Sequence, residues 1–258
     1  MGCSLPCHSR GTYNRVAYRK SVHNMDSATS SNKFYSRCGR VSTPFAGMLS
    51  CLTMKSYIFD IGGVLLNFDI GFISERVAGG SAEKLEQVRG IRTGKLHMGV
   101  ETGAMSDEEF LRLVINPIEP HWTRQDLVNV WMETFTVNNE GVELLRDLRA
   151  MGMPTYILSN LAGHNLEAIR SKFPWLPGMV DRAFYSFELG LMKPDPRVYR
   201  RVCEETGAEP SECVFLDDTE ECVEGACAVG MEGILFTSDR IHEIRERLGL
   251  PDIAAGQG

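Results

Sequence analysis

Residues 55–69, Lys-Ser-Tyr-Ile-Phe-Asp-Ile-Gly-Gly-Val-Leu-Leu-Asn-Phe-Asp, decide the fold of this chain. Three β-branched or aromatic residues, 57–59, lead directly into Asp60, and the pair Gly62-Gly63 follows. A short apolar run bounded by glycine is typical of a buried strand in a parallel sheet. Such a strand ends at the carboxyl edge of the sheet, where open α/β folds bind their ligands. Because an unpaired buried charge is costly, Asp60 is a candidate functional residue.

Downstream, the sequence predicts further strands that alternate with helices. Strands of this length separated by helices of 10–13 residues favour βαβ units and a doubly wound parallel sheet, a Rossmann-like α/β fold. The predicted strands cover 154–158, 183–187, 213–216 and 233–236, and the predicted helices cover 139–151, 164–173, 196–207, 220–229 and 238–248.

Between residues 71 and 137 the pattern indicates helices and contains no strand signal. Ser106 and Glu109 have the spacing of a capping box, and Thr123 is placed to cap another helix. We therefore expect a small helical domain here, called the helical insert below.

The domain organisation predicted from these patterns has four parts. An α/β core would comprise 55–70 and 138–250, interrupted by the helical insert at 71–137. Residues 1–54 would be an N-terminal extension and 251–258 a short tail.

The first 54 residues differ in composition from the rest. They carry seven Lys or Arg and one acid, a net charge of +6, which leaves −13 for residues 55–258 of a chain whose total is −7. A Ser- and Arg-rich, acid-poor start is typical of an organellar transit peptide. A disordered tail, or a stretch upstream of a start at Met48 or Met54, explains it equally well. We expect a cytoplasmic protein, or an organellar one if this is a transit peptide.

The net charge of −7 argues against a nucleic-acid or anionic-membrane partner. The eight cysteines form no C-x-x-C pair, and Cys3, Cys7 and His8 have no second pair at zinc-finger spacing. Free thiols fit a reducing compartment. Cys203, Cys213 and Cys227 lie on apolar or helical segments, where we expect them to be buried. The oligomeric state is not predictable from the sequence.

Polar groups follow four of the predicted strands or their loops: Asp60, Ser159-Asn160, Lys193 and Asp217-Asp218. In a parallel sheet these loops meet at one edge. Carboxylates about 4 Å apart repel by roughly 4 kcal/mol per pair at an effective dielectric of 20, so they need a cation, and Mg²⁺ suits oxygen ligands. A carboxylate nucleophile, a metal, a lysine and hydrogen-bond donors together indicate phosphoryl transfer.

These residues also resemble a known family. Phe59-Asp60-Ile-Gly-Gly-Val, Ile157-Leu-Ser-Asn160, Lys193-Pro194 and Phe215-Leu-Asp-Asp218 are similar, in order, to the four motifs of the haloacid dehalogenase-like (HAD) superfamily. The helical insert resembles that superfamily's helical cap. The segment 186–199 is most similar to the bacterial α-D-glucose-1-phosphate phosphatases.

The resemblance implies a role for each matching residue. Asp60 would be the nucleophile that forms an aspartyl-phosphate, and Lys193 would orient it and neutralise the phosphoryl group. Mg²⁺ would be held by Asp60, Asp218 and the backbone carbonyl of Gly62, with Asp217 in support. Phosphoryl binding would fall to Ser159 and Asn160. The substrate would be a small phosphorylated metabolite such as a sugar phosphate, including a sugar-1-phosphate.

Two positions depart from the usual motifs of the family. Most phosphatases of the superfamily have a second Asp, a general acid, where this chain has Gly62, although the glucose-1-phosphatase-like subgroup also has Gly there. Cys222 stands where relatives often have Asn. These departures keep two alternatives open: a metal-free 2-haloacid dehalogenase, against which the acidic pair Asp217-Asp218 counts, and a catalytically silent binding module.

Three further expectations concern residues near these motifs. His164 is expected to open a helix at the surface, with a role as an acid near the phosphate as the alternative; Asp69 is another candidate stand-in acid. The tryptophans Trp122, Trp131 and Trp175 are expected to serve in packing rather than as a sugar-stacking platform.

Overall fold

A parallel sheet of five strands lies at the centre of the protein in the computed structural model, which describes residues 54–91 and 95–251. In chain order, the strands of the described residues are β1 (Ser56–Phe59), β2 (Leu66–Asn67), β3 (Thr136–Val137), β4 (Thr155–Ser159), β5 (Arg182–Tyr185), β6 (Cys213–Asp217) and β7 (Glu232–Leu235). The order in the sheet is β5-β4-β1-β6-β7, so β1 is the central strand.

Eleven α-helices are found in the described residues, some packed on the two faces of this sheet and others in the helical insert. They are α1 (Ile70–Ala78), α2 (Ala82–Ile91), α3 (Lys95–Glu101), α4 (Asp107–Phe110), α5 (Arg124–Thr134), α6 (Asn139–Ala150), α7 (Gly163–Lys172), α8 (Ser186–Leu189), α9 (Pro196–Thr206), α10 (Glu220–Cys227) and α11 (Ile241–Arg247). A π-helical turn, Leu111–Ile115, continues α4.

The alternation of side chains along β1 explains why helices lie on both faces. Tyr57 and Phe59 point into the cluster that packs against α6, α7 and α11, whereas Ile58 points into the cluster that packs against α9 and α10. A strand buried on both faces needs an uninterrupted apolar run, which is what residues 57–59 provide. The predicted doubly wound α/β fold is thus confirmed.

The order of the strands places a crevice next to Asp60. The chain passes from β1 to β4 and β5 on one side, and β6 and β7 pair on the other side. In such a sheet, the loops at the carboxyl ends diverge where the order reverses, and ligands bind there.

Helices α1 to α5 lie in succession between β2 and β3, which pair antiparallel. They have a buried cluster of their own, with Val77, Val100 and Phe110 among its members. Both predicted caps are present: Ser106 with Glu109 and Thr123 with Asp126 form capping boxes. The division into insert and core as separate domains stays a prediction.

Three details differ from the sequence-based expectations. Residues Thr136–Val137, in the segment where no strand was expected, form β3, because they pair with Leu66–Asn67 of β2 far away in sequence. The predicted strand 183–187 ends at Tyr185, because the Ser186 hydroxyl donates to the Glu101 carbonyl at 2.5 Å and accepts from the Leu161 amide at 3.0 Å, and α8 begins there. Cys227 is exposed at the end of α10, whereas Cys203 and Cys213 are buried as expected.

The predictions made for the N-terminal extension, for Cys3, Cys7 and His8, and for nearly all of the tail lie outside the described residues. Within 54–91 and 95–251, no helix has the length and apolar character required to cross a membrane.

Candidate active site

Asp60 is the first residue after the central strand β1. Its amide donates to the carbonyl of Leu216 on the neighbouring strand at 2.9 Å, which holds it at the edge of the sheet. Only 8 % of the residue is exposed. The strand therefore presents one nearly buried carboxylate at the crevice, as its sequence predicts.

Lys193 lies between two carboxylates. Its Nζ is 2.9 Å from Asp60 Oδ1 and 2.6 Å from Asp217 Oδ2, and the residue is 3 % exposed. Burial alone would lower the pKa of Lys193, but the charges of Asp60 and Asp217 outweigh it and raise the pKa above its ordinary value. The ammonium group is therefore a permanent positive charge beside Asp60.

The two acidic residues after β6 have different surroundings. Asp217 is completely buried: Oδ2 accepts from Lys193, and Oδ1 accepts from the amide of Thr219 at 2.8 Å. Asp218 is exposed and lines the cavity described below. Asp217 thus supports the site from inside the protein, while Asp218 faces any bound ligand.

Asp60, Asp217 and Asp218 can each place a carboxylate oxygen within 4.8 Å of the others. Burial raises the pKa of Asp60 to about 6; the charge of Lys193 opposes this rise and repulsion from Asp217 adds to it. Desolvation and Asp217 also raise the pKa of Asp218. One lysine does not balance three carboxylates, so the cluster has the oxygen donors and the excess negative charge that suit a hard divalent cation.

The turn after Asp60 is shaped by its two glycines. Gly63 has a φ of +70°, and a Cβ there would lie 2.1 Å from Asp218 Oδ2, so the carboxylate packs directly against this glycine. Asn138 donates from Nδ2 to the Gly63 carbonyl at 3.0 Å and holds the turn in place. A Cβ on Gly62 would lie 2.7 Å from Cε1 of Phe68, which therefore occupies the space beside this position.

Ser159 and Asn160 follow β4, on the other side of β1. Ser159 is buried, and its hydroxyl is one of the groups that lower the pKa of Asp60. The Asn160 amide is engaged with the backbone of Lys193: Oδ1 accepts from its N–H at 2.8 Å and Nδ2 donates to its carbonyl at 2.9 Å. The side chain of Asn160 therefore ties the lysine loop to the end of β4.

A cavity of about 300 Å³, called the catalytic cavity below, opens above these groups. Its polar floor includes Asp60, Gly62, Ser159, Asn160 and Asp218. Its remaining wall is largely apolar and includes Phe68, Ile70, Trp131, Phe135 and Ile169. Four of the predicted site residues and the Gly62 position thus share one cavity, and Lys193 and Asp217 lie behind it.

Sequence reasoning missed four polar residues in the wall of this cavity, His97, Glu101, Asn165 and Thr219. His97 Nε2 lies 3.3 Å from Glu101 Oε1. Their i,i+4 spacing on α3 was a signal available in the sequence, since it places both side chains on one helix face. Asn165 had no comparable signal.

The sequence suggested that His164 lies at the surface, but the structure buries it, with only 4 % of the residue exposed. Its Nδ1 lies 2.8 Å from Asp107 Oδ1, and its ring stacks on Phe110 at 6.1 Å between centroids. Arg124 links the same Asp107 to Glu167. The helical insert covers the start of α7 through this network, which explains the burial.

Two other residues considered from the sequence have structural partners. Asp69 is the N-cap of α1 and accepts from the Phe72 amide at 3.1 Å. Cys222 is buried, and burial followed by the charge of Asp217 raises the pKa of its thiol to about 12. The Cys222 carbonyl accepts from the Tyr199 hydroxyl at 2.7 Å.

Comparison with known proteins gives consistent results. The family model of the haloacid dehalogenase-like hydrolases matches residues 54–230. A phosphatase of Mycobacterium tuberculosis is 30 % identical over 205 residues, which are 76 % of this chain and 92 % of the relative. A sesquiterpene phosphatase of Aspergillus oryzae is 25 % identical over 205 residues, 77 % of this chain and 99 % of the relative.

A solved structure has the same fold. It is a HAD family enzyme from Bacteroides thetaiotaomicron in complex with magnesium and inorganic phosphate, with a TM-score of 0.63 and 23 % identity. The match covers 71 % of this chain and 93 % of that one.

Proposed function

The chain belongs to the haloacid dehalogenase-like hydrolases, and we propose that it is a Mg²⁺-dependent phosphatase of a small phosphorylated metabolite, acting through an aspartyl-phosphate on Asp60. The observation that carries the proposal is the position of Asp60, held at the floor of a cavity between Lys193 and the exposed carboxylate of Asp218. The relatives from M. tuberculosis and A. oryzae, both named as phosphatases, support it.

The donor set fits magnesium. Asp60, Asp218 and the backbone carbonyl of Gly62 would hold the ion, and Asp217, hydrogen-bonded to Thr219 and Lys193, would support them. When bound, Mg²⁺ would neutralise part of the carboxylate charge and polarise the phosphoryl oxygens. The magnesium in the Bacteroides structure supports this assignment by analogy of fold.

In the first step, the free carboxylate oxygen of Asp60 attacks phosphorus, and the bond from phosphorus to the leaving alcohol breaks. Lys193 keeps Asp60 ionised near neutral pH and offsets charge that develops on the phosphoryl group. In the second step, water attacks the aspartyl-phosphate, which releases phosphate and restores the carboxylate.

Two residues at the end of β4 differ in their proposed roles. The Ser159 hydroxyl, buried beside Asp60, would donate to the phosphoryl group. Both ends of the Asn160 amide already bond the Lys193 backbone, so its side chain would position Lys193, and any phosphoryl contact from Asn160 would come from its backbone.

The helical insert, 71–137, would act as a cap on the core formed by 55–70 and 138–250. Its residues His97, Glu101 and Trp131 line the catalytic cavity together with core residues. A cap in this position would exclude water from the phosphoryl group during the first step. A cytoplasmic location, or an organellar one if residues 1–54 are a transit peptide, stays a prediction.

A sugar phosphate, and a sugar-1-phosphate in particular, also stays a prediction. It is supported by Gly62, because an enzyme without a carboxylate at this position favours an alcohol that leaves without strong protonation.

A metal-free dehalogenase is the competing enzyme, and a silent binding module is the competing non-enzyme. Gly62 is compatible with both. Asp218, however, is placed against Gly63 and open to the cavity, an arrangement that a metal site explains and that neither alternative requires.

The test is release of phosphate from acetyl phosphate by wild type and Asp60→Asn, with Mg²⁺ and with EDTA. We expect release with Mg²⁺ only, and none from Asp60→Asn with a native circular dichroism spectrum. Substantial release from a folded Asp60→Asn would contradict the aspartyl-phosphate. Halide release from a 2-haloacid in EDTA would establish the dehalogenase instead, and inactivity in both assays would favour the binding module.

A further inference from the structure

A second cavity adjoins the catalytic cavity, between the helical insert and the start of α7. Its volume is about 80 Å³, and we call it the apolar chamber. Much of its wall is hydrocarbon from the helical insert: Ile73, Val77, Val88, Val100, Phe110 and Leu127. A group that enters this chamber gains by leaving water and has little to hydrogen-bond with.

The two cavities are adjacent, because five residues line both of them. Ile70, His97, Glu101, Trp131 and Asn165 line the catalytic cavity and the apolar chamber alike. A molecule whose phosphoryl group lies at Asp60 would therefore extend past these residues towards the chamber.

Part of the wall of the catalytic cavity is aromatic, and it includes Trp131, which also lines the chamber. The ring of Trp131 lies 5.8 Å from that of Phe68 and 5.2 Å from that of Phe135, and all three residues line the catalytic cavity. Trp131, expected from the sequence to serve in packing, does pack against its neighbours but also faces the cavity. This surface would contact the part of the substrate next to the phosphate.

The shared wall also contains a buried donor with no partner. Asn165 is 6 % exposed; its Oδ1 accepts from the Ala162 amide at 2.8 Å, but its Nδ2 has no hydrogen-bond partner among residues 54–91 and 95–251. A buried unpaired amide donor costs about 1–3 kcal/mol. An acceptor atom on a ligand would satisfy it.

From these observations we infer that the substrate is a phosphate monoester whose alcohol has an apolar body, lying along Phe68, Trp131 and Phe135 and ending in the apolar chamber, with one acceptor atom bonded to Asn165. The inference rests on the proposed phosphatase function. It differs from the sugar-phosphate prediction, because a polyol would place hydroxyls against Phe68, Trp131 and Phe135 and in the apolar chamber, where they would lose hydrogen bonds to water. The polar residues His97, Glu101 and Asn165 in the shared wall could bond only some of these hydroxyls.

The test is a series of linear alkyl phosphates from ethyl to octyl, whose leaving alcohols have nearly equal acidity. We expect kcat/KM to rise by up to about fourfold for each added methylene, the gain from burying one CH₂, and to level off when the chamber is full. Benzyl and prenyl phosphates extend the comparison to aromatic and branched bodies. A flat series, or faster turnover of glucose-1-phosphate and glucose-6-phosphate than of hexyl phosphate, would overturn the inference.

Acetyl phosphate separates this inference from the proposed function, since it is too small to reach the chamber. If it is hydrolysed through Asp60 and the alkyl series is flat, the inference fails and the phosphatase stands. If Asp60→Asn still hydrolyses acetyl phosphate, the proposed function itself fails.

Two tryptophans offer a matched pair of variants. Trp131 lines both cavities, whereas Trp175 packs edge-on against Phe173 in the main core and lines neither. The hexyl-to-ethyl ratio of kcat/KM should fall in Trp131→Leu and stay at the wild-type value in Trp175→Leu. This ratio does not depend on the fraction of folded enzyme, and an equal ratio in the two variants would contradict the inference.

The variant Asn165→Asp tests whether an acceptor atom of the substrate bonds to Asn165. The substitution keeps an oxygen for the Ala162 amide and removes the unpaired donor. In alkyl phosphates with one CH₂ replaced by an ether oxygen, wild type should tolerate the oxygen best at one chain position. Asn165→Asp should lose that positional preference, and its persistence would show that Asn165 does not bind the substrate.

Discussion

The side-chain amide of Asn160 forms two hydrogen bonds with the backbone of Lys193, at 2.8 and 2.9 Å. One amide thereby joins the loop after β4 to the loop that delivers the lysine. Because Lys193 Nζ lies 2.9 Å from Asp60, the position of the lysine beside the nucleophile depends on this link.

Asn160→Ala should therefore reduce kcat by on the order of 10²-fold, the cost of misplacing a catalytic group by about 1 Å. KM should change little, because the side chain does not bind the substrate. Asn116→Ala is the control, since the Asn116 amide likewise bonds backbone carbonyls, of Glu119 and Trp122, but in the helical insert. A rise in KM with unchanged kcat would return Asn160 to the predicted role of phosphoryl ligand.

The buried ion pair of Lys193 and Asp217 should contribute to stability as well as activity. Lys193→Met leaves a fully buried carboxylate without its cation and should lower the free energy of unfolding by about 3–5 kcal/mol. Adding Asp217→Asn should restore part of that loss but no activity. The comparison is by urea unfolding, with Lys84→Met at the more exposed pair with Glu119 as control, expected to cost under about 1 kcal/mol. If the changes in unfolding free energy caused by Lys193→Met and Asp217→Asn simply add in the double variant, the two side chains do not stabilise each other.

Magnesium binding should depend on Asp218 more than on Asp217, because Asp218 is the one open to the cavity. At 100 times its dissociation constant, Mg²⁺ should stabilise the wild type by about 2.7 kcal/mol. The rise in Tm should vanish in Asp218→Ala and be reduced in Asp217→Ala. Thermal unfolding with and without Mg²⁺ measures this directly, and an unchanged rise in Asp218→Ala would remove that residue from the metal site.

A carboxylate introduced at position 62 should raise the rate only if the ring of Phe68 is removed from the space beside it. A Cβ there would lie 2.7 Å from the Phe68 ring, so Gly62→Asp alone should perturb the turn. In the double variant Gly62→Asp, Phe68→Ala, the new carboxylate could protonate the leaving oxygen, a contribution of about 10²–10⁴-fold in enzymes that have it. Relative to Phe68→Ala, we expect the gain to be largest for primary alkyl phosphates. An equal gain for aryl phosphates would show that the carboxylate does not act as an acid.

Because of the contact between Asp107 and His164, the free energy of unfolding should depend on pH below about pH 6. Burial alone would raise the pKa of Asp107, but the hydrogen bond from His164 and the charge of Arg124 outweigh it and hold the pKa below its ordinary value. A depressed folded-state pKa gives stability that is present above the unfolded pKa of about 3.9 and is lost as pH falls through the folded value. The difference in unfolding free energy between wild type and Asp107→Asn should thus shrink from pH 6 to pH 3. A constant difference would mean that the ionised carboxylate does not contribute.

The sequence by itself determined the sheet and the order of the chemistry along it. The run 57–59 has to be buried on both faces, and a parallel strand has to end at the same edge as its neighbours. Asp60, Ser159, Lys193 and Asp217-Asp218 could therefore be placed at one site from their positions after strands and in the adjoining loops alone, and the capping boxes at Ser106 and Thr123 could be recognised because they are local.

Only the tertiary structure decided which partner each polar side chain has. Asn160 bonds the backbone 33 residues away, and His164 is buried by Asp107, 57 residues away. The apolar chamber is enclosed by helices that are separate in sequence, and their packing leaves the Asn165 Nδ2 without a partner in the part of the chain that the structure describes. Local patterns report on neighbours within a turn or a strand, whereas burial and hydrogen bonding depend on contacts that form only when distant segments meet.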